Sequence, residues 1–469
     1  MPLPTTDSPS HTSRQSGFLP TVGGKYFALA ALFSMNLLNY VDRYTFFGVG
    51  KQVMEGLKID EVRYGVLSVS FMVVYTFVSP LMGWMGDRYS RKGLLAFGVG
   101  LWSVATVGTA FSRDFNDMFF WRALLGVGEA TYGVIAPALL ADLFPQKYRG
   151  RVIGLYFLAL PLGGGLGYVI GGYVAQSWDW RMAFLVVGVP GLLAAFSGLL
   201  ILDPGRGASE EGGRKTAVKA ARPSPSDYLD LFRTPTFIYN TFGMAAVTFA
   251  TGGMAAWASI FYQSVRGMSV KDANNWIGGM TLLAGLIGIG LGTWLADRLL
   301  KVTRRAYLLM AFAAVAAAIV PGFFALLDPE RNSSLSLLFA SSILMAMVLG
   351  PCNTVTANVV PANRRATGYA VSIFLVHVFG DISSPVFIGL VAKLFGMASV
   401  VGSPVGKALG SIGANPVGGT NLTAGMLSVV PVLALGSFLF LLGSRHLPAD
   451  QERARLAGGG AVEEAVFVH

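Results

Sequence analysis

Apolar stretches of about 20 residues recur along the whole chain, and short polar segments separate them. A stretch of this length crosses a bilayer as an α-helix. Six stretches precede a polar interval near 203–234 and six follow it; they lie near 26–49, 64–85, 93–112, 117–141, 152–175, 182–202, 236–262, 275–297, 306–327, 334–358, 367–395 and 422–443. The pattern predicts an all-α integral membrane protein with twelve transmembrane helices.

The polar segments predict how the chain is divided. Residues 1–24 are rich in Ser, Thr and Pro and lack the short apolar core of a cleavable signal, so we expect a disordered cytosolic tail. The remaining boundaries predict a six-helix bundle over 25–202, a cytosolic linker over 203–234, a second six-helix bundle over 235–443 and a cytosolic tail over 444–469.

Loop sequences repeat in the same order in the two halves. GWMGDRYSRK (83–92) follows the second span and GTWLADRLLK (292–301) follows the eighth. PQKYRG (145–150) follows the fourth span and PANRRA (361–366) follows the tenth. Internal repeats of this kind are common in secondary transporters. We therefore expect two pseudo-symmetric six-helix bundles related by an axis along the membrane normal.

Composition supports this assignment and excludes other classes. Hydrophobic residues make up 53% of the chain and charged residues only 13%, which is too apolar for a soluble globular protein. The net charge of +10 comes from Lys and Arg clustered between apolar stretches, so topology explains it better than nucleic-acid binding. These cations concentrate in the even-numbered loops, which predicts that those loops and both termini are cytoplasmic.

Four ionisable residues fall within predicted spans. Each would cost about 2.5–3.5 kcal/mol at the bilayer centre if it were unpaired; they are Asp42 and Arg43 in the first span and Arg122 and Glu129 in the fourth. Arg122 and Glu129 are seven residues apart, so they share a helix face but are too distant to pair. We therefore expect Glu129 to meet Arg43, with Arg43 and Arg122 serving as ion-pair partners.

The roles of these charges stay open between two interpretations. A carboxylate whose access to water alternates with conformation gains and loses a proton, so Asp42 and Glu129 are candidates for proton coupling. The alternative is a permanently ionised pair that clamps two helices. The spacing of Asn36, Asn39, Tyr40 and Arg43 makes one polar stripe on the first span, and we expect this stripe to face a cavity between the halves.

Other candidates for the cavity are aromatic or titratable. His377 and Asp381 are four residues apart and share a helix face; the alternative for the histidine is a structural hydrogen bond. Ordinary packing is the alternative for the aromatic candidates, which are Phe46, Tyr75, Tyr132, Trp257 and Phe374.

The loop and span motifs resemble those of the major facilitator superfamily. Gly83, Asp87, Arg88, Arg91 and Lys92 match its loop motif, although Ser90 replaces the usual second glycine, and the weaker copy retains Asp297 and Arg298. The fourth-span motif of the superfamily is matched by Arg122, Gly126 and Gly128. The resemblance implies the major facilitator fold and a cytoplasmic gate formed by Asp87, Arg88, Arg91, Asp297 and Arg298.

A narrower resemblance is to the Spinster family of lysolipid and sphingolipid transporters. It rests on NYVDRYT (39–45), RALLGVGEATYGVIAPALLADLF (122–144) and HVFGDISSP (377–385). It implies a bacterial inner-membrane homologue that moves a lipid-like amphiphile by alternating access, with the proton as coupling ion. The alternatives are a general exporter of drugs or organic anions and, in another class, a non-transporting sensor or scaffold.

No enzyme, cofactor or metal site is predicted. Cys352 is the only cysteine, and PLGGGLG (161–167) lacks the Lys-Ser/Thr ending of a phosphate loop. The expected partners are the amphiphilic substrate and membrane lipids, and we expect the protein to be a monomer.

Overall fold

The computed structural model describes residues 24–201, 203–205, 231–361 and 364–457. Most of the predicted linker (203–234), nearly all of the predicted N-terminal tail and the last residues of the C-terminal tail lie outside this range. The N-terminal half contains α1 (Lys25–Gly48), α2 (Gly50–Leu57), α3 (Glu61–Arg88), α4 (Arg91–Ala110), α5 (Phe115–Leu143), α6 (Gln146–Phe157), α7 (Ala159–Ser177) and α8 (Trp180–Leu200).

The C-terminal half contains eleven helical segments within the described residues. They are α9 (Pro235–Ser264), α10 (Val270–Leu300), α11 (Ala306–Leu327), α12 (Arg331–Ala346), α13 (Leu349–Val359), α14 (Arg365–Phe379), α15 (Ser384–Leu394), α16 (Ala398–Val401), α17 (Pro404–Ser411), α18 (Leu422–Leu427) and α19 (Val429–Ala457). The pairs α6/α7, α12/α13, α14/α15 and α18/α19 each run on as one span.

Eleven helices or helix pairs in the described part of the chain are long and apolar enough to cross a membrane. The remaining span of the twelve is α1, which has 24 residues. The polar residues Asn36, Asn39, Asp42 and Arg43 lower the mean hydropathy of α1, although this helix is long enough to cross a membrane. The predicted all-α architecture of two six-helix halves is confirmed.

Three helices at the end of the molecule away from the chain termini, α3, α5 and α12, begin with acidic caps. Asp60 accepts a hydrogen bond from the Arg63 N–H at the start of α3 (2.9 Å), and Asp114 caps α5 in the same way. Carboxylates at this position satisfy free N–H groups and match the positive end of the helix dipole. We call this end the acid-capped end, and the end with the termini and the Arg91 and Arg305 loops the basic end.

The two halves pack against each other at the acid-capped end. The Tyr64 hydroxyl donates to the Ala256 carbonyl (3.0 Å), and Lys393 Nζ lies 2.7 Å from Asp60 Oδ2. The helices α7 and α10 cross at glycines, since a Cβ on Gly165 would lie 2.8 Å from the Gly278 carbonyl oxygen. Toward the basic end, α3 exposes large apolar side chains such as Phe77, which is 70% exposed. The central space is therefore closed at the acid-capped end.

The end of the last span differs from the prediction. We expected a soluble tail from Ser444, but α19 continues to Ala457 and buries Leu447 and Asp450. The Asp450 carboxylate accepts a hydrogen bond from the Thr236 N–H (2.9 Å), one of the free N–H groups at the start of α9. This cap fastens the helix extension to the bundle, a contact that hydropathy does not report.

Candidate functional site

A buried ion pair joins α1 to α5. Arg43 Nη2 lies 2.5 Å from Glu129 Oε2, and the side chains are 17% and 1% exposed. The Arg43 guanidinium also lies 4.7 Å from the centre of the Phe71 ring. This is the contact expected from the sequence, and it neutralises a carboxylate that would otherwise be buried with an unpaired charge.

Two glycines bring Glu129 to this depth. A Cβ on Gly126 would lie 2.3 Å from the Phe71 carbonyl oxygen, and one on Gly128 would lie 2.6 Å from the Gly98 carbonyl oxygen. Side chains at either position would push α5 away from α3 and α4. The glycine-rich segment thus allows α5 to pack closely enough for Glu129 to reach α1.

Arg122 is buried without an ionic partner among the described residues. Its Nε donates to the Leu67 carbonyl (2.7 Å), and its guanidinium lies 3.6 Å from the centre of the Phe46 ring. Within the described residues no carboxylate lies within 4 Å of it, in contrast to the predicted ion pair. Sequence spacing identified a buried cation but could not show that a carbonyl and an aromatic face would hold it.

Asp42 is also buried without an ionic partner in the described part of the chain. Its side chain is 4% exposed, and Oδ2 accepts a hydrogen bond from the Thr106 hydroxyl on α4. The two candidate proton sites therefore differ in kind. Glu129 is neutralised by a cation, whereas Asp42 is held by a neutral hydroxyl.

The polar stripe on α1 turns toward neighbouring helices rather than toward one cavity. Asn36 Nδ2 donates to the Tyr156 carbonyl (3.0 Å), and the Tyr40 ring centre lies 5.3 Å from the Arg43 guanidinium. Asn39 is 6% exposed. Of the stripe, Arg43 is the member that reaches the central space.

The central space has two neighbouring parts between the halves. The polar chamber has a volume of about 150 Å³ and contains Arg43, Ser68 and Asp381. The apolar chamber has a volume of about 250 Å³ and is lined by Met254, Met280, Met345 and other apolar side chains, mostly from α9, α10 and α12. Both chambers share Tyr44, Thr248, Thr251 and Ala255 as lining residues. A charged region therefore lies directly beside an apolar one.

Asp381 reaches the polar chamber from a break in the eleventh span. The helix stops after Phe379 and restarts at Ser384, with proline in its first turn. His377 Nδ1 lies 2.9 Å from Asp381 Oδ1, so the predicted shared face brings these groups into contact. Asp381 thus presents a carboxylate to the chamber opposite the side from which Arg43 enters.

The predicted aromatic lining is largely packing in this structure. Phe46 and Trp257 are 0% exposed and Tyr132 is 1% exposed. Trp257 donates to the Pro385 carbonyl (3.0 Å), and Tyr132 donates to the Leu32 carbonyl. Tyr75 packs beneath α5, with its hydroxyl close to Gly133. Phe374 is 44% exposed on α14, and none of the five lines either chamber.

Comparisons with known proteins agree with this architecture. The Major Facilitator Superfamily profile matches residues 32–385. Protein spinster homolog 1 of Homo sapiens is 34% identical over 402 residues, which cover 81% of this chain and 75% of the human protein. The chain belongs to the Spinster family of the major facilitator superfamily. Protein spinster of Drosophila melanogaster is 34% identical over 388 residues, 80% of this chain, but the match spans only 63% of the fly protein.

Solved structures show the same fold. A bacterial homologue of the human lysosomal transporter Spinster, in an inward-facing and unoccupied conformation, has a TM-score of 0.78 at 22% identity, covering 91% of this chain and 98% of that one. A D-xylose–proton symporter has a TM-score of 0.68 at 16% identity, covering 89% and 97%. Membership of the Spinster family, which the 34% identical relatives show, makes this chain a membrane transporter and not an enzyme.

The repeated loops of this Spinster-family member form similar cation–aromatic contacts. Arg88 lies 4.2 Å from the centre of the Trp84 ring, and Arg298 lies 4.2 Å from the centre of the Trp294 ring. Asp297 is exposed in the second copy. The side chain of Asp87 lies outside the described part of the structure, so its role in a gate stays a prediction.

Sequence reasoning named Arg91 but missed its partner Asp142, and it also missed Thr106 and the methionines of the apolar chamber. Arg91 Nη1 lies 2.5 Å from Asp142 Oδ2, which ties the start of α4 to the end of α5. Aligning ADLFP (141–145) with ANVVP (357–361) from the repeated half would have marked Asp142, because Asn358 replaces it there. Thr106 and the methionines of the apolar chamber carry no comparable signal, since buried threonines and methionines also occur in other spans, for example Thr45 and Met118.

Proposed function

We propose that this protein is a secondary active transporter that moves a lysolipid-like or sphingolipid-like amphiphile by alternating access and couples this movement to protons. The adjacency of the two chambers carries the proposal. A charged head group matches the polar chamber, where Arg43 and Asp381 present opposite charges. A single acyl chain matches the apolar chamber, because burial of each CH₂ contributes about 0.8 kcal/mol.

Proton coupling is assigned to Glu129 and Asp42. Arg43 neutralises Glu129 in this conformation. If substrate or conformational change draws Arg43 toward the polar chamber, Glu129 is left in an apolar setting where the protonated form is favoured. A proton would then replace Arg43 as the group that offsets the buried charge.

The orientation follows from the distribution of cations. Basic loops stay on the cytoplasmic side, so we place the basic end and both termini in the cytoplasm of a bacterial inner membrane. The structure, closed at the acid-capped end, then represents an inward-facing state.

A substrate panel with a blocked chamber tests the substrate class. Phenylalanine at Ala284, a lining residue of the apolar chamber, should lower kcat/KM for a long-chain lysolipid about tenfold, as expected for an overpacked site. Leu283→Phe, on the exposed side of the same helix, is the matched control. Proteoliposome uptake of lysolipids, sphingoid bases and organic anions should show this loss only for the chain-bearing compounds.

A different ranking would overturn the substrate assignment. If organic anions without a chain are transported best, and Ala284→Phe reduces their uptake as strongly, the protein is a general exporter. If none of the compounds is bound or transported, the sensor or scaffold interpretation replaces transport of this class.

A further inference from the structure

A hydrogen bond between α1 and α4 ends on Asp42. The Thr106 hydroxyl contacts Asp42 Oδ2. Thr106 Oγ1 also lies 3.0 Å from the Trp102 carbonyl oxygen, one helical turn earlier on α4. Thr106 is 0% exposed and Asp42 is 4% exposed. The carboxylate, the hydroxyl and the carbonyl therefore form a short buried chain of oxygen atoms.

A hydroxyl carries one hydrogen, so Thr106 can donate to only one of these oxygens at a time. When Asp42 is ionised, the hydroxyl donates to the carboxylate. When Asp42 is protonated, its Oδ2–H donates to Thr106 Oγ1, and the hydroxyl is then free to donate to the Trp102 carbonyl. Both protonation states of Asp42 are thus satisfied by reversal of two hydrogen bonds, without movement of a heavy atom.

The surroundings hold Thr106 in place for this reversal. Its methyl group faces Gly188 on α8, where a Cβ would lie 3.1 Å from it, so the packing leaves no room for a side chain. The charged groups near Asp42 are Arg43 on its own helix and Arg122 and Glu129 on α5. Within the described residues none of the cations lies within 4 Å of the Asp42 carboxylate, so the hydroxyl is its immediate partner.

We propose that Thr106 is a positioning residue for the proton carried by Asp42, holding the carboxyl in one orientation whether or not it is protonated. This inference rests on the proposed proton-coupled function and deepens it. The proton that arrives forms a bond to Asp42 Oδ2, and it is released from the same oxygen. Thr106 keeps its own proton throughout and changes only the acceptor to which it donates.

The test is an infrared pH titration of the full-length protein in lipid nanodiscs. The carboxyl band of Asp42 is identified by its loss in Asp42→Asn. Thr106→Val keeps the shape of the side chain but removes the hydrogen-bond donor. The ionised form of Asp42 then loses more stabilisation than the protonated form, because hydrogen bonds to ions are stronger. We expect the titration midpoint to move to higher pH by about one unit, a tenfold change in the protonation equilibrium. Thr106→Ser should restore the wild-type midpoint.

Thr109 provides the matched control. It is 1% exposed and donates to the Ala105 carbonyl (2.9 Å) without meeting a carboxylate, so Thr109→Val should leave the midpoint unchanged. Thr106→Ala replaces the valine variant if the latter does not fold, with the same expected direction. An unchanged midpoint in the Thr106 variants would overturn the inference. A shifted midpoint with a wild-type pH profile of transport would support the positioning role and remove Asp42 from coupling.

Discussion

The two halves share a fold but bury charge differently. The N-terminal half encloses Asp42, Arg43, Arg122 and Glu129, and all except Arg43 are no more than 4% exposed. The main titratable contact of the C-terminal half is the pair His377 and Asp381, whose side chains are 30% and 21% exposed at a helix break. The C-terminal half instead supplies most of the apolar chamber. A duplicated framework has thus specialised, with charge in one half and apolar volume in the other.

The basic end shows the same contrast. Arg91 pairs with Asp142 in the N-terminal half. At the corresponding positions of the repeat stand Lys301 and Asn358, so one partner of the pair has lost its charge. We therefore expect the Arg91–Asp142 pair to hold the N-terminal half more rigidly near its loops than the C-terminal half.

Removing one partner of the buried ion pair should have the largest effect on stability. Arg43→Met leaves Glu129 buried without its cation, which costs about 3–5 kcal/mol. In the C-terminal half, His377→Ala breaks the contact between His377 and Asp381. This change should cost less than about 1 kcal/mol, because both side chains of that pair are partly exposed. Melting temperatures in detergent should show this order. Equal losses in the two variants would contradict the contrast between the halves.

The loop pair should have an intermediate effect. Asp142→Asn should speed amide hydrogen exchange about 10- to 100-fold at the start of α4 and the end of α5, because a charge-assisted hydrogen bond contributes about 1.5–3 kcal/mol. Asn358→Asp, which gives the second half an acid at the matching position, should slow exchange in α13. Exchange rates that do not change at these segments would show that the pair does not set local rigidity.

The exposed pair at the acid-capped end should have the smallest effect. Partial burial raises the pKa of Asp60, but hydrogen bonds from Lys393 and from the Arg63 N–H outweigh it and hold this pKa below its usual value. Because the folded-state pKa is lowered, the contribution is present above the ordinary carboxyl pKa and is lost as pH falls through the lowered value. Lys393→Met should therefore cost less than about 1 kcal/mol near pH 7.

Unfolding measured against pH tests this assignment. The difference in stability between wild type and Lys393→Met should shrink as the pH falls below about 4, where Asp60 becomes protonated. A difference that is constant over this range would mean that Lys393 acts through packing of its aliphatic chain and not through its charge.

Sequence patterns predicted the spans well but only part of the site. Hydropathy located all twelve spans because bilayer thickness sets their length. The cost of a buried charge was enough to pair Glu129 with Arg43. Helical spacing could not distinguish Phe46 and Trp257, which pack against neighbours, from side chains that face the chambers, since both kinds lie on inward faces. The partner of Arg122 is a backbone carbonyl, which has no signature in the sequence.

Proton-gradient stimulation of the Glu129→Gln variant tests the central claim most directly. Substrate flux should be measured in proteoliposomes with and without an imposed pH gradient, for wild type, Glu129→Gln and Asp381→Asn. Glutamine cannot gain or lose a proton, so we expect Glu129→Gln to bind substrate but to show no stimulation by the gradient, while Asp381→Asn remains stimulated. Equal stimulation of Glu129→Gln and wild type would contradict the assignment of coupling to Glu129.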